Sequence, residues 1–284
     1  MKKSFIFIIM LFVVIVGYIL LQNNKNTSIT YNEKISSLSD KSPNDVQPDY
    51  QNGLSNAKLE KDEYEIDFDK AKRHKLLQWQ ASLGNSKEQR EAYKSYDLQT
   101  LLELAKQNDV IALELAAGEF YKNGQVQDAY DMRLKAAALG STRALFSNST
   151  LAIATLENIS SGYESENFVR EDYNMPDYIN VKEVLERVAL SNYVVAAMRG
   201  DVDRARFKLK DYQREYRDNE PFTLEEWQTI ATDADELYQT LTEARNSLGL
   251  NSFDNSYPEA YAHIFELPKE NTDPIGYLEK QLVQ

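Results

Sequence analysis

The chain has 284 residues with 45 acidic and 32 basic side chains, a formal net charge of −13 and no cysteine. The absence of cysteine excludes a disulfide framework and a cysteine nucleophile, so stability must come from packing. Residues 1–150 contain as many acidic as basic side chains, so the net charge belongs to residues 151–284. Such an acidic surface repels nucleic-acid phosphates. It could attract a basic partner, or it could simply keep the protein soluble.

The first 21 residues predict a transmembrane signal anchor. Residues 4–21 carry no charge and as a helix would span roughly 27 Å, close to the thickness of a bilayer core. Lys2 and Lys3 precede this run and only Lys25 follows closely, so we expect a cytoplasmic N-terminus and a single pass. In a Gram-negative bacterium, this topology places the protein in the inner membrane with its bulk in the periplasm. A cleaved signal peptide and a buried helix are the alternatives.

A flexible linker is predicted over residues 22–63, which are rich in Asn, Ser, Lys, Asp and Gln and poor in large apolar side chains. Such a composition cannot bury enough surface to offset the entropy of ordering. From residue 64 to residue 284, apolar residues recur at helical spacing. We therefore expect one all-α domain of about ten helices with almost no strand.

An internal similarity marks the centre of this domain. Residues 102–113 align without a gap to residues 134–145, an offset of 32 residues, which is the length of one helical-hairpin repeat. Asp97 is placed to cap a helix, further helices start at Asp109 and Ser141, and Gly140 suits the left-handed position after a helix. The pattern predicts stacked helical hairpins over residues 97–158.

At these positions the chain resembles the Sel1-like branch of the tetratricopeptide-type repeats. The matching elements are Asp109 and Ala112, then Phe120-Tyr121 with Gly124, then Lys135-Ala136-Ala137 with Gly140. The resemblance implies a helical-hairpin repeat core with flanking helices, and an adaptor that binds a protein or peptide. We expect its partner groove to include Tyr121, Tyr130 and Arg133.

An aromatic and acidic loop follows the repeat core. Tyr163, Phe168 and Tyr173 alternate with acidic residues between positions 160 and 180, and Pro176 prevents a continuous helix. These rings are candidate contacts for a basic peptide. Alternatively, they pin the loop to the core.

The second half predicts helices over residues 181–199 and 201–217, and shorter ones over 257–265 and 274–282. Between them, Thr223 and Glu226 form a capping box before an apolar seam from Trp227 to Leu248. The seam could form a self-associating coiled coil. We expect it to pack within the domain instead, because two of its residues are alanine.

Candidate catalytic groups are few. The two histidines, His74 and His263, lie far apart in sequence, and the chain has neither a Gly-x-Ser-x-Gly elbow nor a phosphate-binding glycine loop. We therefore expect no catalytic, cofactor or metal site. The predicted function is a membrane-anchored, envelope-facing interaction module. The alternative is a glycan-binding protein or glycan-acting enzyme of the cell envelope that uses aromatic platforms and paired carboxylates, such as Glu225 with Glu226.

Overall fold

The computed structural model describes residues 70–163, 165, 166, 169 and 180–283. The predicted anchor and linker lie outside the described residues. Within the described ranges every long element is helical and no strand forms, as predicted; the nearest approach to a strand is a single bridge between Phe222 and Val283. No described helix is both long and apolar enough to cross a membrane.

The described residues form eleven helices. They are α1 Lys70–Ser82, α2 Lys87–Glu91, α3 Leu98–Lys106, α4 Val110–Lys122, α5 Val126–Leu139, α6 Thr142–Ser160, α7 Val181–Met198, α8 Val202–Tyr216, α9 Leu224–Ser247, α10 Glu259–Ile264 and α11 Pro274–Leu282.

Side-chain caps fix where the central helices begin. The carboxylates of Asp97 and Asp109 and the hydroxyl of Ser141 each accept a hydrogen bond from the backbone amide three residues further on, at 2.8, 2.9 and 3.1 Å. Thr223 and Glu226 form the reciprocal capping box that begins α9. The sequence predicted the cap at Asp97 and the capping box at Thr223, and it predicted helix starts at Asp109 and Ser141, where side-chain caps satisfy amides that have no partner within the helix.

Repeated turns explain the internal similarity. Asn108, Gly124 and Gly140 lie 16 residues apart and have φ values of 64°, 73° and 128°. In each case, the amide of the following residue donates to a carbonyl five residues back, at 3.2, 2.9 and 3.0 Å. This is the hydrogen bond of a Schellman turn, which ends a helix at a left-handed residue. The 32-residue offset therefore corresponds to two consecutive helix-and-turn units.

Small residues allow the central helices to approach closely. Ala112, Ala116 and Ala117 on α4, and Ala136 and Ala137 on α5, are fully buried. Each of α3, α4 and α5 packs on the next helix along the chain, and α6 packs on α7. The last pair is antiparallel. Phe146 contacts Tyr193 with ring centroids 5.6 Å apart, and Ser149 donates to the Ala189 carbonyl at 2.8 Å.

Most of the apolar seam of α9 packs inside the domain, as expected, whereas Leu248 at its end is exposed. Trp227, Ile230, Ala234 and Leu241 are buried, and α9 lies against α7 and α5. The Arg187 guanidinium on α7 forms a two-pronged ion pair with the Asp233 carboxylate on α9, with an Nε to Oδ2 distance of 2.6 Å. The predicted seam thus supports the fold of a single chain.

Asp201 was predicted to cap the helix after residue 200, and the structure corrects its role. The residue occupies the N-cap position of α8, but its side chain makes no capping hydrogen bond. Instead, Asp201 is buried and accepts a hydrogen bond from the Thr142 hydroxyl at 3.0 Å. Burial raises the pKa of this carboxyl group. Asp201 therefore ties the start of α8 to the start of α6.

Candidate functional site

The turn between α1 and α2 docks on the junction between α5 and α6. The Leu83 carbonyl accepts hydrogen bonds from the backbone amides of Thr142 and Arg143, at 3.1 and 3.4 Å. Gly84 follows with a φ of 80°, and a β-carbon there would lie 2.5 Å from Ser141 Oγ. The contact therefore requires glycine both for its conformation and for the space it leaves.

A buried ionic cluster supports this contact. Glu114 on α4 is only 7 % exposed. Its carboxylate pairs with the guanidinium of Arg90 on α2, lies 3.4 Å from Nε of Arg143, and accepts a hydrogen bond from the Ser141 hydroxyl. A single carboxylate thus connects three segments that are distant in sequence. A buried charge is tolerated only when it is paired and hydrogen-bonded in this way.

An open groove lies where these elements meet, with a volume of about 450 Å³. Its lining combines small, apolar and polar side chains. The lining residues are Ala81, Ser82, Gly84, Gln89, Ala92, Tyr93, Asp109, Val110, Ile111, Leu139, Gly140 and Ser141. Pockets of several hundred cubic ångströms with a few placed polar groups are typical ligand sites in proteins.

Tyr93 and Asp109 form the polar pair of the groove. The Tyr93 hydroxyl donates to Asp109 Oδ2 at 2.6 Å, while Asp109 Oδ1 caps α4 through the Ala112 amide. The hydrogen bond to Asp109, together with burial, raises the pKa of Tyr93 to about 12. The phenol therefore remains a hydrogen-bond donor across the physiological pH range.

The charges around the groove are balanced. Asp109 lines the groove, and the cluster beside it joins Glu114 to Arg90 and Arg143, so these four side chains contribute two negative and two positive charges. The C-terminal ends of α1 and α5 and the N-terminal ends of α4 and α6 also meet here, so their partial charges oppose one another. The groove is therefore suited to select by shape and hydrogen bonding rather than by net charge.

Two of the three residues predicted to form a partner groove, Tyr121 and Arg133, lie near each other, away from the 450 Å³ groove. The guanidinium carbon of Arg133 lies 6.0 Å from the centroid of the Tyr121 ring. Tyr121 is half-buried, while Tyr130 and Arg133 are 8 % and 9 % exposed. None of the three lines the 450 Å³ groove. Binding of a partner at Tyr121, Tyr130 and Arg133 stays a prediction.

The predicted loop contacts are only partly visible. Tyr163 is 76 % exposed just beyond the C-terminal end of α6. Phe168 and Tyr173 lie outside the described residues. Their proposed contact with a basic peptide therefore also stays a prediction.

Three carboxyl groups with raised pKa lie outside the groove. Burial raises the pKa of Asp131 to about 6, and it raises the pKa of Asp201 and of Glu236. None of these residues lines the groove. In the part of the chain that the structure describes, no group of three or more His, Cys, Asp or Glu side chains is arranged to hold a metal ion.

Asp131 leads to a testable pH dependence. Its carboxyl group keeps its proton to about pH 6 in the folded state, against 3.8 normally, so stability falls as pH rises from about 4 to 6. Asp131→Asn should therefore raise the free energy of unfolding by about 2 to 3 kcal/mol at pH 7.5 and by almost nothing at pH 4. Urea unfolding at both pH values measures the difference. An equal increase in the free energy of unfolding at both pH values would show that the ionisation of Asp131 does not cause the stabilisation.

Sequence reasoning missed most of the groove. It identified Asp109 as the start of a helix, but not that α2 would bring Arg90 and Tyr93 beside it. The available signal was Glu114, an acidic residue among the apolar positions of α4 that becomes buried. A charge on a buried helix face indicates a partner from another segment.

The sequence matches no protein-family model, no curated protein and no solved structure at a significant level.

Proposed function

We propose that the protein is a membrane-anchored interaction module whose helical domain binds a protein or peptide partner in the groove between α2, α4 and the α5–α6 junction. The observation that carries this proposal is the groove itself, an open site of about 450 Å³ lined by both apolar and polar side chains, among them the Tyr93–Asp109 pair. The resemblance of residues 97–158 to Sel1-like repeats supports the same class of function, since stacked hairpins commonly present binding surfaces.

The groove favours binding over reaction chemistry. Glycan hydrolysis by the usual mechanism needs two carboxyl groups on opposite sides of one bond, one of them with a raised pKa. Here Asp109 is already engaged by Tyr93 and by the Ala112 amide. Glu114 is held by Arg90 and Arg143. These carboxylates have structural partners, which supports a recognition site more than the alternative of a glycan-acting enzyme.

The lining indicates how a peptide would bind. Ala92, Ile111 and Leu139 offer apolar contacts, the Gln89 amide can donate and accept hydrogen bonds, and the Tyr93 oxygen, whose proton is donated to Asp109, can accept one from a peptide. Such a combination suits one or two side chains and a short stretch of backbone. With the N-terminal 21 residues as anchor and residues 22–63 as linker, the groove would face the cell envelope. It would lie within reach of other envelope proteins.

Site-specific photocrosslinking tests the proposal. A photoreactive residue is placed at Ile111 in the groove, at Tyr121 on the α4–α5 pair, or at Gln228 on the exposed side of α9, in the full-length protein in its own membrane. We expect a reproducible adduct with another protein from position 111 and none from position 228. An adduct from 121 alone would move the site to the residues predicted from sequence. The absence of an adduct from both position 111 and position 121 would contradict the proposal.

A further inference from the structure

A second surface, distinct from the groove, is formed by the last turn of α8. Tyr212 and Tyr216 stack with ring centroids 5.0 Å apart and an interplanar angle of 24°. Tyr212 is buried, whereas Tyr216 is 41 % exposed. The inner ring fixes the outer one, so Tyr216 presents a rigid aromatic face to solvent.

Each tyrosine is joined to a glutamate on a neighbouring helix. The Tyr212 hydroxyl donates to Glu186 on α7 at 2.8 Å, and the Tyr216 hydroxyl donates to Glu157 on α6. Neither glutamate forms an ion pair with a described basic residue. The aromatic pair is therefore flanked by two carboxylates whose charge no described base neutralises.

The nearby bases are already engaged. Arg214 pairs with Asp211 and Glu215, and Arg217 pairs with Glu226. On the other side, Lys182 lies 3.9 Å from Glu166. Among the residues that the structure describes, these pairs leave Glu157 and Glu186 without an ion-pair partner, in the half of the chain that carries the whole net charge of −13.

Helix ends add to the negative potential. Both α6 and α8 finish at this surface, at Ser160 and Tyr216, and the C-terminal end of a helix carries a partial negative charge, while the partial positive charge of the α7 N-terminus at Val181 offsets one of these two ends. Tyr163 lies at the same end of α6, where its amide donates to the Asn158 carbonyl at 2.9 Å. Its ring is the most exposed of the large apolar side chains in the described ranges.

We propose that the surface defined by Glu157, Tyr163, Glu186 and Tyr216, here called the α6–α8 face, binds a lysine- or arginine-bearing segment of a partner protein. The Tyr216 ring offers a cation–π platform, and the two glutamates offer carboxylates beside it. Anionic lipid and nucleic acid do not fit this face, because their phosphates would meet uncompensated carboxylates. The groove is electrically balanced, whereas the α6–α8 face selects by charge.

Titration of the full-length protein in detergent with a lysine-rich dodecapeptide tests the proposal. The peptide's counterpart with glutamate at each lysine serves as the probe of opposite charge. At about 50 mM salt we expect the lysine peptide to bind and the glutamate peptide not to bind. Glu157→Gln with Glu186→Gln should weaken binding about tenfold, since two ion pairs are lost while the tyrosine hydroxyls keep an acceptor. Tyr216→Ala should weaken it more than Tyr216→Phe, which retains the ring.

The matched control removes the same charge from another place. Glu225 and Glu243 on α9 are exposed and form no described ion pair, so Glu225→Gln with Glu243→Gln should change affinity by less than about twofold. Equal weakening by the two double variants would show that only net charge matters and would overturn the proposal. So would failure of the unmodified protein to bind the lysine peptide. Groove variants at Ile111 should leave this binding unchanged.

Discussion

Replacing Glu114 with alanine is expected to lower the free energy of unfolding by about 3 to 5 kcal/mol, as is typical when one partner of a buried ion pair is removed. The reason is that the side chain is 7 % exposed and compensates the guanidinium groups of Arg90 and Arg143. Without it, Arg90 loses its buried carboxylate, and Ser141 loses its acceptor. Urea unfolding followed by far-ultraviolet circular dichroism measures the loss. Glu114→Gln should lower the free energy of unfolding by less than Glu114→Ala does, because the glutamine amide oxygen can still accept a hydrogen bond from the Ser141 hydroxyl.

An exposed ion pair on the same helix provides the control. Glu119 pairs with Lys122 at 2.7 Å, with side chains 41 % and 70 % exposed. Because solvent screens such a pair, Glu119→Ala should cost less than about 1 kcal/mol. If Glu114→Ala and Glu119→Ala lowered the free energy of unfolding equally, the buried ion pairs of Glu114 would stabilise the fold no more than an exposed ion pair does.

Gly84→Ala is expected to lower the free energy of unfolding by about 3 kcal/mol and to change the shape of the groove. A residue with a side chain pays roughly 1 to 2 kcal/mol for a left-handed conformation, and Gly84 has a φ of 80°. The new β-carbon would also lie 2.5 Å from Ser141 Oγ, and overpacking typically adds about 1 to 3 kcal/mol. Thermal and urea unfolding measure the total.

Gly124→Ala separates these two contributions. Gly124 also has a positive φ, of 73°, but a β-carbon there would meet nothing within 4 Å. The substitution should therefore cost only the conformational part, about 1 kcal/mol. Equal losses of unfolding free energy for the two variants would mean that the α1–α2 turn can move away from α6 without destabilising the protein. The turn would then not define one wall of the groove.

Local signals predicted much of the fold. The capping residues Asp97, Asp109, Ser141 and Thr223 act through atoms three residues away, and the sequence shows such neighbours directly. The seam of α9 was predicted for a related reason, since its apolar spacing fixes one face and its alanines suit close intrachain packing. Helical class and most helix boundaries follow from interactions within a few residues.

The site could not be predicted in the same way. Its floor depends on contacts between Gly84, Glu114 and Ser141, and on an ion pair between residues 24 positions apart, Arg90 and Glu114. No periodicity connects these residues. The internal similarity predicted a binding surface within residues 97–158. It gave no indication of α1 and α2, which supply one side of the groove.

Asp201 shows how a correct local pattern can mislead. An aspartate after a glycine at a helix start usually caps the helix, and Asp201 does occupy that position. Its carboxylate turns instead toward Thr142, because the start of α8 packs against the start of α6. Tertiary contact overrides local preference here, and the raised pKa of Asp201 is the electrostatic consequence.

Filling the groove is the most direct test of the proposed function. Ala92 lines the groove and is exposed, so Ala92→Trp adds a ring there without entering the core. Gln228→Trp adds the same ring to the exposed side of α9 and serves as the control. Photocrosslinking from Ile111 in the full-length, membrane-embedded protein should give a heterologous adduct that survives Gln228→Trp and disappears with Ala92→Trp. An adduct that persists with Ala92→Trp, or adducts only with a second copy of the chain, would contradict binding of a partner in this groove.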